Sequence, residues 1–428
     1  MKIAYITAGA GHMYCGSCIH DNTLAAALQR KGHDVALIPT YTPIRTDEDD
    51  VSLNRVFYGG INVYLQEKLA IFRHTPCIFD NLLNSPKLLN WISNITSGTN
   101  AKDLGAVTVS VLQGERGHQK KELDKLVKWL KESFNPELVQ LTNSMFVGMA
   151  KELKRQLNVP IICALQGEDI FLESLVEPHK TQALQILQDR VVDVDGFIAT
   201  SQYYANFMAE YLNISMQRIH VVKLGLNLQG HAIEQFNQDR NPFIIGYLAR
   251  ICPEKGLHLL VEAFYQLRQK LGPDKIQLKI AGYLGKRDLK YFENIRNQID
   301  AWSLNGDVEY IGEVDRLEKI IFLNSLHVLS VPTTYKEPKG LFVLEALANG
   351  VPVVQPRHGS FPELIEATGG GILVEPEKPD ALAEGIYSLM KDPEYREKLG
   401  HQGKQSVHQL FSDEIMAEAT LEVYKQYL

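Results

Sequence analysis

The sequence predicts an α/β protein with two doubly wound, Rossmann-like domains that face a central cleft. Short β-branched runs alternate with longer helical patterns through both halves of the chain, as they do in βαβ units with parallel sheets. At 428 residues the chain suits two domains of roughly 200 residues, each with its own core. Ligands of such sheets bind at the carboxyl ends of the strands, so we expect the active site in the cleft.

The apolar runs and the helical spacing between them predict the following elements. Strands are predicted in the first half at 2–7, 34–39, 106–111, 138–141, 160–165 and 196–200, and in the second half at 243–247, 277–281, 308–311, 327–331 and 352–355. Helices are predicted between them at 22–31, 119–132, 144–156, 256–271 and 290–302.

The polar segment 230–241 has no clear period and precedes Pro242, where a new strand is predicted. We therefore predict domains at 1–229 and 242–410 with 230–241 as their linker. The last stretch, 411–428, has Ser412 or Asp413 as a candidate N-cap and helical apolar spacing, so we predict a closing helix there.

Composition narrows the class of protein. Apolar residues make up 45% of the chain and charged residues 22%, which is ordinary for a globular enzyme. The net charge of −7 argues against a nucleic-acid partner. The N-terminal run MKIAYITAG lacks the features of a signal peptide, and no window reaches the roughly 18 apolar residues of a spanning helix. Five scattered cysteines fit reduced thiols, so we expect a cytoplasmic protein.

The segment 58–100 departs from the alternating pattern because it is long and rich in leucine and aromatic residues. Its apolar residues stand beside Lys68, Arg73 and Lys87, an arrangement that suits a peripheral contact with a membrane interface. Packing of the same residues on the first domain is the alternative. The apolar set is Phe72, Ile78, Phe79, Leu82, Leu83, Leu88, Leu89 and Trp91.

The stretch TYKEPKGLFVLEALANG carries two carboxylates, Glu337 and Glu345, where a polar loop turns into an apolar helix near Gly340. A helix N-terminus offers free N–H groups and a positive dipole end, which suit a diphosphate or a sugar hydroxyl. A carboxylate in the first turns also stabilises a helix through its dipole, so spacing alone leaves both interpretations open.

Two further stretches of the second half suit a phosphate ligand. In YLARICPEKG, Arg250 and Lys255 flank a turn at a predicted strand end, where they form either a phosphate clamp or a pair of solvated charges. In KIAGYLG, Gly282 lets the backbone approach a nucleotide closely. The first loop, AGAGHMYCGSC, does not meet the dinucleotide fingerprint, which disfavours a nicotinamide enzyme.

Together these stretches resemble the retaining glycosyltransferases of family 4, which have the GT-B fold. The resemblance rests on Gly16 in the first loop, on the Arg250 and Lys255 pair, on the AGYLG turn and on the run KEPKGLFVLEALANGVPVVQPRHGSFPELI. It covers essentially the whole second domain and the framing strands of the first.

The resemblance implies roles for individual residues. Glu337 would contact hydroxyls of the donor sugar, Glu345 would hold the nucleotide ribose, and Arg250 with Lys255 would bind the diphosphate as it leaves. The remaining donor-binding residues that it implies are Gly16, Gln166, Gly282, Gly340, Leu341, Phe342 and Val343. It also implies retention of anomeric configuration, an acceptor on the first domain, and no requirement for a metal or other cofactor.

Some positions depart from the family pattern. Many members have a histidine where this chain has Gln166, and Gln cannot take up a proton. Lys339 stands where an aromatic residue is common, and it is a candidate for acceptor contact or for simple solvation. His12 and Asp21 are further candidates for acceptor contact. The CGSC pair, Cys15 and Cys18, lacks a second pair for a zinc site and is expected to be structural or to line the substrate site.

The sequence thus predicts a hexosyltransferase that uses a nucleotide-diphosphate sugar, with UDP as the expected nucleotide. The acceptor is expected to be a hydroxyl of a glycolipid, with a soluble sugar or a sugar phosphate as alternatives. A catalytically silent protein that binds a nucleotide sugar is the competing class.

Overall fold

The structure is a computed structural model that describes residues 1–9, 14–69, 73, 101–231 and 241–428. The chain divides into two compact units, one of Met1–Gly225 with Asp413–Leu428 and one of Leu226–Ser412. The division falls at Gly225 and Leu226, before the predicted linker 230–241, of which 232–240 lie outside the described residues. The membrane-contact hypothesis for 58–100 likewise falls mostly on residues outside the described ones.

The first unit is built on a parallel sheet of six strands in the order β2-β1-β3-β4-β5-β6. Its central strands are buried along their whole length, which explains why they read as continuous apolar runs. The strands are β1 (Lys2–Ala8), β2 (Asp34–Thr40), β3 (Leu138–Leu141), β4 (Ile161–Leu165), β5 (Gly196–Ala199) and β6 (Ile219–Val221).

Helices surround this sheet and include the end of the chain. They are α1 (Gly16–Arg30), α2 (Gly60–Lys68), α3 (Ala101–Leu112), α4 (Lys120–Trp129), α5 (Ala150–Leu157), α6 (Asp169–Glu173), α7 (His179–Arg190), α8 (Gln202–Leu212) and α16 (Asp413–Lys425). The final helix α16 belongs to the first unit because Met416, Ala417 and Tyr424 are buried in one cluster with Leu24 and Leu28 of α1.

Two sequence predictions for this unit are wrong. The segment 106–111, predicted as a strand, lies inside helix α3. Its β-branched residues favour a strand, but Gly105, Thr108, Val111 and Leu112, four of the five buried positions described in this helix, follow helical spacing, and tertiary packing decides the outcome. Helix α1 begins at Gly16 and not at position 22, directly after the extended residue Cys15.

The second unit has a parallel sheet of six strands in the order β12-β11-β10-β7-β8-β9. The strands are β7 (Phe243–Leu248), β8 (Ile276–Ala281), β9 (Val308–Gly312), β10 (Val328–Leu329), β11 (Val353–Pro356) and β12 (Gly371–Val374). The helices are α9 (Leu257–Leu271), α10 (Leu289–Ala301), α11 (Arg316–Asn324), α12 (Leu341–Ala348), α13 (Phe361–Thr368), α14 (Pro379–Lys391) and α15 (Pro393–Leu410). Strands β6 and β12 have no counterpart among the predicted strands.

Each sheet has a switch point where the direction of the strand order reverses. It lies between β1 and β3 in the first unit and between β7 and β10 in the second. The loops that follow such a pair of strands diverge and leave a crevice at the carboxyl edge of the sheet, which is where doubly wound sheets bind ligands.

The two loops at the switch point of the second unit touch each other at Gly256. This residue has a φ of 70°, and a Cβ there would lie 1.8 Å from the carbonyl oxygen of Pro332. The backbone N–H of Thr334 also donates to the carbonyl of Glu254 at 3.0 Å. The loop after β7 is therefore held against the loop after β10.

We expect the Gly256→Ala variant to lose about 2–4 kcal/mol of unfolding free energy, because it combines a left-handed backbone with a backbone clash. Gly306→Ala is the matched control, since nothing lies within 4 Å of its Cβ position. Chemical denaturation of both variants measures the difference, and equal stability would contradict the assigned loop contact.

Candidate active site

Three loops of the second unit meet around Glu337. This residue follows β10, and its carbonyl accepts the N–H of Ser360 from the loop after β11 at 2.8 Å. The ring of His358 contacts the carbonyl of Thr333 through Nε2 at 2.9 Å. With the contact from the loop after β7 described above, these bonds hold the backbone of Glu337 at the switch point.

The carboxylate of Glu337 is buried, with 4% of the residue exposed. Its Oε2 accepts from Lys255 Nζ at 2.6 Å and from the Tyr335 hydroxyl at 2.5 Å. Its Oε1 faces the backbone N–H groups of Lys339 and Gly340, each at 3.4 Å. The sequence placed Lys255 and Glu337 in separate motifs, and the fold joins them in an ion pair.

Glu337 is ionised at neutral pH. Burial by itself raises the pKa of this carboxyl, but the charge of Lys255 and the hydrogen bonds from Lys255, Tyr335 and Gly340 lower it below its ordinary value. A buried carboxylate with an adjacent ammonium is typical of a site that handles charge, although structural ion pairs also have this form.

Arg250 lies in the same loop as Lys255. Its Nε donates to Cys252 Sγ at 3.3 Å, and among the described residues it forms no ion pair. The N–H of Ile251 donates to the carbonyl of Tyr283 at 2.9 Å, which links this loop to the one after β8. Gly282 makes the link close, because a Cβ there would lie 1.9 Å from the carbonyl oxygen of Ala249.

The predicted helix start lies at this same edge of the sheet. Gly340 is the N-cap of α12, and the N–H of Val343 donates back to its carbonyl at 2.9 Å. The N–H groups of Leu341 and Phe342 have no carbonyl acceptor within the helix, because they belong to its first turn. They are available to an anionic ligand.

The second glutamate of the motif, Glu345, is buried inside α12 with 5% exposed. Its Oε1 pairs with Nζ of Lys319, a residue of α11 that is 7% exposed. Its backbone carbonyl accepts from Asn349 Nδ2 at 2.7 Å. Both glutamates of the motif are therefore matched to a lysine from a different element.

In the first unit, Asp21 is the centre of a hydrogen-bond cluster at the switch point. The cluster joins β1, α1 and the loops after β3 and β4, and the carboxylate is fully buried. It accepts from the hydroxyl groups of Tyr5 (2.6 Å), Thr7 (2.5 Å) and Thr142 (2.5 Å), from Gln166 Nε2 (2.8 Å), and faces His20 Nδ1 (3.3 Å).

The acceptor contact of Asp21 stays a prediction, and the structure shows this carboxylate fully buried among donors of its own unit. A fully buried carboxylate with this many donors orients the side chains around it. Burial raises the pKa of Asp21, but the donors, His20 foremost, hold it below its ordinary value. Gln166, a predicted donor-binding residue, donates from its amide group to Asp21 and to the carbonyl of Thr142, each at 2.8 Å.

The other predicted site residues of the first unit are placed as follows. Gly16 opens α1, and His12 lies outside the described residues. Cys15 and Cys18 do not form disulfides, and Cys18 Sγ donates to the carbonyl of Ala8 at 2.9 Å. The described residues contain no cluster of three or more His, Cys, Asp or Glu side chains with the arrangement of a metal site.

Sequence reasoning missed Tyr335 and Lys319. Tyr335 stands two positions before Glu337, a weak signal in a loop that has several polar residues. Lys319 has no signal at all, because it belongs to a helix distant in sequence from the glutamate it pairs with.

The structure is that of a two-unit α/β protein with a buried ion pair at the switch point of its second sheet, and comparisons with known proteins identify its class. Residues 230–406 match the family Glycosyl transferases group 1. An uncharacterized glycosyltransferase of Methanocaldococcus jannaschii is 32% identical over 441 residues, which cover 99% of this chain and 98% of that protein. The chain belongs to the group 1 glycosyltransferases.

Solved structures confirm the fold. Sucrose-phosphate synthase from Thermosynechococcus elongatus matches with a TM-score of 0.71 at 19% identity, over 99% of this chain and 98% of that one. Anabaena HepE in complex with UDP-glucose matches with a TM-score of 0.68 at 16% identity, over 100% of both chains. The predicted GT-B fold is confirmed, while membership of family 4 stays a prediction. Within the described residues, no helix is both long and apolar enough to cross a membrane.

We expect Asp21→Asn to lower the free energy of unfolding by about 2–4 kcal/mol, because an amide N–H₂ then faces hydroxyl donors in a buried site. Asp34→Asn, at a carboxylate that is 60% exposed, is the control and should change stability little.

The pKa of Asp21 is lower in the folded protein than in the unfolded chain. Ionised Asp21 therefore adds to the free energy of unfolding above about pH 4, and this contribution is lost as the pH falls through the folded pKa. Urea denaturation at pH 7 and pH 3 tests both statements; a penalty no larger than that of the control would refute them.

Breaking the buried pair of α11 and α12 gives a second test. Lys319→Met should cost about 3–5 kcal/mol because it leaves Glu345 charged beside an apolar side chain, whereas the double variant Lys319→Met/Glu345→Leu should recover much of that loss. A double-mutant cycle by chemical denaturation measures the coupling. Simple additivity of the two single changes would contradict a direct pairing.

Proposed function

We propose that the protein is a retaining hexosyltransferase that moves a hexose from a UDP-sugar to an acceptor hydroxyl. The observation that carries the proposal is the buried pair of Lys255 and Glu337 at the switch point of the second unit, with Arg250 in the same loop. Lys255 offers a cation to the diphosphate of a nucleotide sugar, and Glu337 offers a carboxylate to the hydroxyls of its sugar.

The diphosphate binds to Arg250, Lys255 and the first turn of α12. Arg250 supplies forked donors and Lys255 a point charge, while the N–H groups of Leu341 and Phe342 add the positive end of a helix dipole. As the bond between the anomeric carbon and the phosphate oxygen breaks, negative charge grows on the diphosphate, and these preorganised groups stabilise it. They supply the positive charge that a divalent ion supplies in other transferases, so no metal or other cofactor is required.

Glu337 and Glu345 hold the two sugars of the donor. Oε1 of Glu337 has only long backbone contacts, so it is the oxygen that accepts from hydroxyls of the hexose. Glu345 lies within α12, in the helix that also supplies the first-turn N–H groups, and its side chain accepts from the ribose hydroxyls. The UDP-glucose complex of Anabaena HepE supports UDP as the nucleotide and a hexose as the transferred group.

Retention follows from reaction on one face of the sugar. A double displacement would need a carboxylate nucleophile on the opposite face, and the sequence offers no credible candidate. The acceptor oxygen instead attacks from the side of the leaving diphosphate, whose oxygen takes the acceptor's proton, through an oxocarbenium-like transition state. The amide of Gln166, which cannot accept a proton, contacts the donor sugar as a hydrogen-bonding group.

The acceptor is a hydroxyl of a glycolipid held by the first unit. The support for a lipid is the apolar and basic composition of 58–100, which suits a peripheral membrane contact. Lys339, two residues after Glu337 in the loop before α12, is the candidate for contact with the acceptor's polar group. A soluble sugar or sugar phosphate would be the acceptor if liposomes do not bind the protein.

Release of UDP from a panel of UDP-hexoses tests the function. Glu337→Gln and Lys255→Ala should each lower kcat/KM about 10²–10³-fold, because each removes a group that acts on charge in the transition state. Lys398→Ala, at an exposed lysine of α15, is the control and should retain full activity. Binding of UDP-sugars without release of UDP from any of them would instead identify a catalytically silent binding protein.

A further inference from the structure

Tyr335 stands between the two charged groups of the candidate site. Its hydroxyl lies 2.7 Å from Lys255 Nζ and 2.5 Å from Glu337 Oε2, while Lys255 and Glu337 are themselves 2.6 Å apart. The three polar groups therefore form a closed triangle in which each touches the other two.

The direction of each hydrogen bond in the triangle follows from the chemistry of the groups. The ammonium of Lys255 has only donors, so the Tyr335 oxygen accepts from it. The hydroxyl hydrogen of Tyr335 must then go to Glu337, whose ionised carboxylate has only acceptors. Burial, with the adjacent carboxylate, raises the pKa of Tyr335 well above its ordinary value, so the phenol keeps this proton at all working pH values.

The triangle makes the two oxygens of Glu337 unequal. Oε2 accepts two short bonds, from Lys255 and Tyr335, whereas Oε1 has two contacts at 3.4 Å, both from backbone N–H groups. A free rotation of the carboxylate would exchange these environments, and the Tyr335 hydroxyl opposes that rotation.

Tyr335 is itself held rigidly. Its backbone carbonyl accepts from Thr333 Oγ1 at 3.0 Å, and the neighbouring N–H of Thr334 is bonded to the loop after β7. Its ring faces Lys255 Nζ at 5.0 Å, and the ring of Phe342 faces the same ammonium at 5.3 Å. Two aromatic rings thus confine the ammonium group that the hydroxyl contacts.

We propose that Tyr335 is a positioning residue of the transfer reaction: its hydroxyl anchors Lys255 to Oε2 of Glu337, so that Oε1 is the oxygen presented to the donor sugar. The inference rests on the proposed function, because it assigns the sugar contact to Glu337. Tyr335 acts through these two groups and does not itself touch the reacting atoms.

Tyr335→Phe tests the inference, since it keeps the ring and removes only the hydroxyl. We expect kcat/KM for UDP release to fall about 10- to 100-fold, mainly in kcat, while the melting temperature changes no more than in the control. Tyr291→Phe is the control, because it removes a hydroxyl that contacts His258 Nδ1 at 2.9 Å in the same unit. Equal kinetic effects of the two changes would overturn the inference.

The pH dependence of kcat/KM gives a second measurement, and the Tyr335→Phe change would leave it unaltered if Tyr335 had only a structural role. The Tyr335 hydroxyl is one of the donors that lower the pKa of Glu337, so its removal should move the acidic limb of the kcat/KM profile to higher pH. An unshifted limb would contradict the anchoring of Oε2.

A carboxyl titration separates failure of this inference from failure of the proposed function. ¹³C NMR of the Glu337 carboxyl, assigned with the Glu337→Gln variant, should show a higher pKa in Tyr335→Phe than in the unchanged protein. If no UDP-hexose is turned over, the proposed function fails, yet this titration still decides whether Tyr335 orients Glu337. An unchanged titration would refute the positioning role.

Discussion

The ion pair of Lys255 and Glu337 is the interaction on which the candidate site depends. A carboxylate buried at the centre of a sheet edge keeps its charge only if a cation and hydrogen-bond donors offset the loss of water. Here the cation comes from the loop after β7, and the carboxylate and a phenol come from the loop after β10. The strand order places these two loops side by side, and this arrangement allows the buried Glu337 to stay ionised.

The three buried carboxylates described above are stabilised in two ways. Glu337 and Glu345 are each paired with a lysine. Asp21 is surrounded mainly by hydroxyl and amide donors, which hold its neighbours in place without adding a full positive charge.

Much of the fold was predictable because most strands of its parallel sheets are buried on both faces, which gives apolar runs with helical patterns between them. The exceptions have local causes. Strand β6 reads Ile-His-Val and is too short to show a period, and β12 begins at the last of three successive glycines. Helix α3 carries β-branched residues that favour a strand, and only its packing positions reveal a helix.

The sequence by itself determined the fold class, the family resemblance and the residue types of the candidate site, because periodicity and motif spacing are local properties of the chain. Tertiary structure alone decided which charges meet: that Lys255 pairs with Glu337, that Lys319 of a distant helix pairs with Glu345, and that Asp21 is buried under hydroxyl groups. It also decided that Tyr335 completes the first pair. These contacts depend on strand order and loop packing, which place residues far apart in sequence within a few ångströms and are not encoded in any single segment.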